Sequence, residues 1–235
     1  MSRITRITGA ALAAAVLCSV PAYAQRAWEP YVTGVAGGSS MPAFGINFSD
    51  PSLAAALNIQ DRKFVAGATV GGSFGVWKRL EGRRLRWGLR GEAAYQDSDS
   101  RAQTVKAVGT LFGQPYNGAI QVPEINAAAI FYTGTFLIGW QSGSPGAGTA
   151  GHVMPYVGVG GGLDRVTARQ DTQRGQDVGG TIQGVGGVAF GTSRMTSAYV
   201  EYRFTRAKQS LPIGTQTNLF SIKPNQVVAG FMLGW

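Results

Sequence analysis

Apolar side chains return at every second position through most of this chain, in segments long enough for strands and too short for membrane helices. Successive strand side chains point to opposite faces, so the pattern describes a sheet with one apolar and one polar surface. Leu85–Gln96 is the clearest case. Leu85, Trp87, Leu89, Gly91, Ala93 and Tyr95 share one face, and Arg86, Gly88, Arg90, Glu92, Ala94 and Gln96 the other. In Phe64–Val76, the residues Phe64, Ala66, Ala68, Val70, Phe74 and Val76 oppose Thr69 and Ser73. In Ala198–Thr205, Ala198, Val200, Tyr202 and Phe204 oppose Tyr199, Glu201, Arg203 and Thr205. The C-terminal segment sets Val227, Ala229, Phe231, Leu233 and Trp235 on one face. Trp28–Gly38, Ile125–Trp140, Val153–Leu163 and Thr181–Phe190 are strand-like as well, with glycine blurring their facing. Eight strands are expected, and the absence of candidate helices between them argues for antiparallel meander connections.

The breaks between these segments alternate in length. Ser39–Arg62, Asp97–Glu124, Asp164–Gly180 and Arg206–Lys223 are long, whereas Lys78–Arg84 and Gly191–Thr196 are short. Gln141–His152 is longer than a turn needs, yet takes its place on the short side and carries glycine and Pro145. Short turns on one side and long loops on the other are the layout of outer-membrane barrels. Lipid offers backbone groups no hydrogen-bond partners, so a membrane chain without spanning helices must close its sheet. The expected fold is all-β, an eight-stranded antiparallel up-and-down transmembrane barrel. One short helix is expected in the first long loop, where Asp50 caps, Pro51 opens and Leu53–Leu57 continue with good helix formers.

The N-terminus points to export. Arg3 and Arg6 precede an apolar run from Ala10 to Val20, and Ala22-Tyr23-Ala24 offers a cleavage site before Gln25. Residues 1–24 are therefore expected to be a cleaved signal peptide and residues 25–235 the barrel domain. Cys18 falls in the leader behind Val16 and Leu17, without the small residues of a lipidation site, so no cysteine is expected in the mature chain. The formal net charge of +9 includes Arg3 and Arg6. In an exported chain this basic balance suits lipid and lipopolysaccharide phosphates rather than nucleic acid.

The tryptophans cluster by position. With both termini on the periplasmic side, Trp28, Trp87, Trp140 and Trp235 all fall at the periplasmic ends of their strands. Tryptophan favours the membrane–water boundary, where its ring is buried and its N–H stays wet. Trp77 is at the same end with the opposite parity, which suggests a place in the turn.

Three stretches carry a family resemblance. They are Pro155-Tyr156-Val157-Gly158-Val159-Gly160-Gly161-Gly162, then Ala198-Tyr199-Val200-Glu201-Tyr202-Arg203-Phe204, then Phe231-Met232-Leu233-Gly234-Trp235. With these the chain resembles the opacity-protein-like, porin-family branch of small bacterial outer-membrane β-barrels. The resemblance implies eight strands, and a C-terminal signal in Phe231, Leu233 and Trp235 read by the barrel-assembly machinery. That last position is usually phenylalanine in the family, so Trp235 departs from the pattern.

Candidate chemistry is sparse. Arg86, Arg90 and Glu92 should face the lumen from one strand, and Glu201 and Arg203 from another. An eight-stranded barrel has room only for side chains, and charges there are costly unless paired. An internal salt-bridge network that closes the barrel is one reading; a narrow charge-lined pore, with space left by Gly158, Gly160 and Gly162, is the other. His152 is the sole histidine and lacks a serine two residues on, so it reads as a turn residue rather than the base of a lipid-cleaving enzyme. No enzyme activity, cofactor or metal is expected. The basic turn Lys78, Arg79, Arg83 and Arg84 reads as a solvated periplasmic turn. The long loops, with Leu53, Leu57, Phe112, Pro115, Tyr116 and Ile120, are the expected contact surface for an extracellular ligand or host surface. A secreted lipocalin-like barrel is a further alternative, but it would need another covering for Trp87, Leu89, Phe204 and Phe231.

Overall fold

A computed structural model describes residues 28–81, 83–142, 151–170, 173–193, 195–213 and 216–234. The cleavage site expected at Ala24 and Gln25, and the terminal Trp235, lie outside these residues. Thirteen strands occupy nearly all of the described chain: β1 (Trp28–Ser40), β2 (Phe44–Asp50), β3 (Ala55–Arg62), β4 (Gly67–Arg79), β5 (Leu85–Ser100), β6 (Gln103–Leu111) and β7 (Gln114–Val122). They continue as β8 (Ile125–Trp140), β9 (Val153–Gln170), β10 (Gln173–Gly191), β11 (Thr196–Ile213), β12 (Gln216–Ile222) and β13 (Asn225–Gly234).

Eight of them close a ring in the order β1-β4-β5-β8-β9-β10-β11-β13, with β13 returning to β1. Every neighbouring pair is antiparallel. The ring's stagger can be followed residue by residue. Pro30 pairs with Val76, then Leu89, Phe136, Val159, Gly184, Phe204 and Asn225, and the path re-enters β1 at Ser40. The ladder thus climbs ten residues of β1 in one circuit. With eight strands, such a shear sets the strand tilt within the usual range of about 35–45° and leaves an interior that side chains fill.

Alternation along the strands follows the ring. Phe74, Val159 and Phe231 point outward with 63 %, 69 % and 67 % of their surface exposed, whereas Arg90, Thr135, Gln183 and Glu201 are buried inside. The outer surface between the two rims is built from Val70, Phe74, Leu89, Tyr132, Phe136, Ile138 and their counterparts on β9–β13.

The long connections are not irregular loops. The β5/β8 ladder runs on into β6/β7, the β1/β4 ladder into β2/β3, and the β11/β13 ladder into β11/β12. The three hairpins also pair with each other, in the order β11-β12-β2-β3-β6-β7. The wall on this side therefore continues past the ring as a curved antiparallel extension. Ile46, Ile59, Val105 and Val122, with Phe48 and Ile120, form its own apolar cluster.

The helix expected in the first loop is replaced by strand. Its start signal does act: the Asp50 carboxylate accepts from the Ser52 amide at 2.9 Å, and Pro51–Leu53 make a single 3-10 turn. Ala54 then adopts φ 45°, ending the turn, and Ala55, Leu57 and Ile59 go inward at period two. The physical reason is pairing on both sides. β3 has β2 at one edge and β6 at the other, and a helix would leave both without a partner.

Candidate functional site: the filled lumen and its aromatic rim

β5 and β11 stand four places apart in the ring of eight, directly across the lumen from each other. Period-two facing sends Arg90 and Glu92 inward from β5, and Glu201 and Arg203 inward from β11. They meet at the centre. Arg90 donates to both Glu201 oxygens, at 2.7 and 3.1 Å, the two-point geometry a guanidinium makes with a carboxylate. Arg203 donates through Nε to Glu201 Oε1 at 2.5 Å and through Nη1 to Glu92, while Arg90 Nε lies 3.6 Å from Glu92. Two cations and two anions therefore cancel, with Glu201 wholly buried and Arg203 1 % exposed.

Tyr156 from β9 completes the shell by donating its hydroxyl to Glu201 Oε2 at 2.9 Å. Sequence reading missed this residue because it opens a glycine-rich run; its inward parity was the available signal. Apolar side chains surround the quartet toward the tryptophan end: Tyr31, Val35, Trp77, Leu137, Val185, Tyr199 and Val228.

Arg86 does not join the quartet. It sits at the tryptophan end and pairs with Glu29 of β1, to which Arg79 also donates at 3.3 Å. Glu29 was not singled out from the sequence, although it shares the inner face of β1. On the other side of the quartet the lumen is polar, mostly amides and hydroxyls with one carboxyl, Asp164. Gln226 donates to Gln96 at 2.6 Å, Gln183 to Thr133 and Thr135 at 3.1 and 2.8 Å, and Gln209 to Asp164. A second apolar plug of Ala129, Phe131, Val166, Ala168 and Ile222 follows.

The inner glycines of β9 do not leave open space. A Cβ on Gly158 would meet Leu137 Cδ2 and the Phe136 carbonyl at 2.5 Å, and one on Gly160 the Gly134 carbonyl at 2.5 Å. On Gly162 it would strike the Tyr132 carbonyl. These positions are where β8 and the inner side chains press closely against β9.

At the opposite surface of the wall, Trp28 and Trp87 meet edge to face with centroids 5.1 Å apart, and Trp87 stacks on Phe136 at 6.1 Å. Lys78 Nζ stands 4.9 Å above the Trp28 ring and 5.9 Å from Trp87, within cation–π range. Trp140 ends β8 on the same outer rim and is exposed. Trp77 is not a turn residue; it points into the lumen, stacked on Tyr31 at 6.2 Å. Phe231 and Leu233 lie on the outer face of β13.

His152 donates from Nδ1 to the Ser142 carbonyl beside the start of β9, and the Ser142 hydroxyl oxygen accepts from the Val153 amide at 2.9 Å. Among those residues no cluster of three His, Cys, Asp or Glu side chains could hold a metal ion.

No family model and no curated protein matches the sequence. Among solved structures the chain is similar to a Neisserial surface protein A, with 10 % identity over 88 % of this chain and 97 % of that one, at a TM-score of 0.44. It is similar to the outer membrane protein OprG from Pseudomonas aeruginosa, with 12 % identity, 88 % and 95 % coverage and a TM-score of 0.48. It is also similar to Ail, the attachment invasion locus protein of Yersinia pestis, with 9 % identity, 88 % and 98 % coverage and a TM-score of 0.39.

Proposed function

We propose that the chain is an integral protein of the bacterial outer membrane, a closed barrel that presents its hairpin extension to the outside. In this reading its role is structural or in surface interaction, not in solute passage. The observation that carries it is the neutral Arg90–Glu92–Glu201–Arg203 quartet spanning the lumen between opposed strands, inside a wall whose outer face is apolar. A soluble barrel reverses that arrangement, because water would then meet Phe74, Val159 and Phe231. The outward Trp28, Trp87 and Trp140 suit a membrane–water boundary, and this reading takes it as the periplasmic one, with both ends of the chain in the periplasm and the hairpins outside. Phe231 and Leu233 belong to the same proposal, as outward positions of the closing strand available to the assembly machinery.

Two measurements test this reading. Heat-modifiable gel migration in detergent is expected of a membrane barrel and not of a lipocalin-like soluble one. In planar bilayers the refolded protein is expected to be silent, and an Arg90→Ala/Glu201→Ala variant to open small, steady conductances by emptying the centre. Stable openings of the unmodified protein would overturn the closed lumen in favour of a narrow low-conductance pore.

A further inference from the structure

Just above the apolar outer face, toward the hairpins, the first outward polar positions differ in charge around the ring. On β11, Phe204 is followed two residues on by Arg206 and then by Lys208; on β9, Leu163 is followed by Arg165. Lys223 stands beside Arg206, since Ala207 pairs with Ile222 and the Thr205 amide donates to the Pro224 carbonyl at 3.0 Å. On β5 the corresponding step from Tyr95 leads to Asp97. One side of the rim is basic and the side across from it is acidic.

The basic group is exposed, and none of Arg165, Arg206, Lys208 or Lys223 makes an ion pair among the described residues. Asp177, on the neighbouring β10, accepts from the Ser210 amide at 2.7 Å, and Asp164, next to Arg165 in sequence, is buried in the lumen against Gln209. Like charges side by side on neighbouring strands repel, and Arg206 beside Lys223 is such a pair. Arg165 is held by Gln176, which accepts from its Nη2 at 2.6 Å and fixes the guanidinium at the surface. β10 lies between β9 and β11; Arg165 pairs with its Val178 and Arg206 with its Ile182, so Arg165 stands two strands across and four residues along from Arg206, about 16 Å away by strand spacing and rise.

We propose that Arg206, Lys208 and Lys223, flanked by Arg165, form a phosphate-binding site for a phosphorylated glycolipid of the surrounding outer leaflet. The inference rests on the membrane placement proposed above. Its acyl chains lie along Tyr202, Phe204, Ile182 and Leu163, which are outward and apolar directly beneath the charges. One phosphate is held by the Arg206, Lys208 and Lys223 group and a second by Arg165. The acidic rim at Asp97 and Asp99 repels the same head group, so binding is sided.

The test is native mass spectrometry of the detergent-refolded protein titrated with diphosphorylated lipid A. Arg206→Gln/Lys223→Gln is expected to lower affinity at least about tenfold, since each surface cation contributes on the order of 1 kcal/mol toward anionic lipid. Monophosphorylated lipid A is expected to bind the unmodified protein more weakly than the diphosphorylated form. Lys63→Gln/Arg101→Gln, at basic positions above the acidic side, is expected to change nothing. Equal loss in both double variants, or none in either, overturns the site. Competition by inorganic pyrophosphate as strong as by lipid A overturns the glycolipid as its occupant. Heat-modifiable migration of each variant keeps folding failure separate. A protein lacking that migration in every form refutes the membrane placement itself, whatever the lipid titration shows.

Discussion

Glu201 accepts from Arg90, Arg203 and Tyr156 at once, so it is the common acceptor of the lumen. Replacing it with leucine leaves two guanidinium groups facing each other without their shared anion. Loss of one partner from a buried pair costs about 3–5 kcal/mol, and urea unfolding in lipid vesicles should show Glu201→Leu destabilised by that order. Arg90→Met/Glu201→Leu should recover most of the loss, because the remaining Arg203 and Glu92 still neutralise each other. The glycines allow a second comparison at this scale. Gly162→Ala drives a Cβ into the Tyr132 carbonyl, whereas Gly184→Ala has nothing within 4 Å. Overpacking of this kind costs about 1–3 kcal/mol, so the refolding yield should fall for Gly162→Ala and stay unchanged for Gly184→Ala. Parity along the chain separates inward Arg90, Glu92, Glu201 and Arg203 from outward Leu89 and Tyr202. It does not say which inward charges meet. That depends on the level at which opposed strands face each other, a property of the shear that local periodicity does not contain. Arg86 has the same parity as Arg90, yet it meets Glu29 because it is four residues nearer the rim.

The elements that changed most between sequence and structure are the hairpins of the extension. Composition makes Ser39–Arg62 and Asp97–Glu124 look like loops, since they carry polar residues, glycine and proline. What orders them is inheritance of register from the strands below and pairing with neighbouring hairpins, neither of which is local. The Asp50-Pro51 start signal was legible and is used, but it opens one turn before β3 takes over. Arg62 ties two hairpins together by donating Nε to Ser100 Oγ at 3.0 Å and Nη2 to the Pro123 carbonyl at 2.7 Å. Burial pulls its guanidinium below the ordinary arginine range. Ile59→Asp sets a carboxylate among Ile46, Val105 and Val122, an uncompensated burial that costs several kcal/mol. Limited proteolysis should then cut within β2–β3 and β6–β7 while the ring keeps its heat-modifiable migration. Simultaneous loss of ring and extension would show that the two fold as one cooperative unit.

Across the whole molecule, filling and closure are one property. A shear of ten in a ring of eight gives an interior of the size that side chains fill, and two arginines, two glutamates and the tyrosines beside them occupy its centre. Eight strands and their order were legible because each follows from period and break length. That order already sets β5 opposite β11; the level at which their charges meet follows from the shear, was not legible, and governs how the barrel can be built. Arg90 and Glu201 are separated by 111 residues of chain, as are Glu92 and Arg203. Until β11 arrives, a bilayer entered by β5 alone receives Arg90 and Glu92 held only against each other at long range. Partial insertion is therefore penalised at every stage before the last strands dock. The quartet thus favours a route in which most of the circumference gathers first and crosses as a nearly finished ring, with its charges already introduced to their partners.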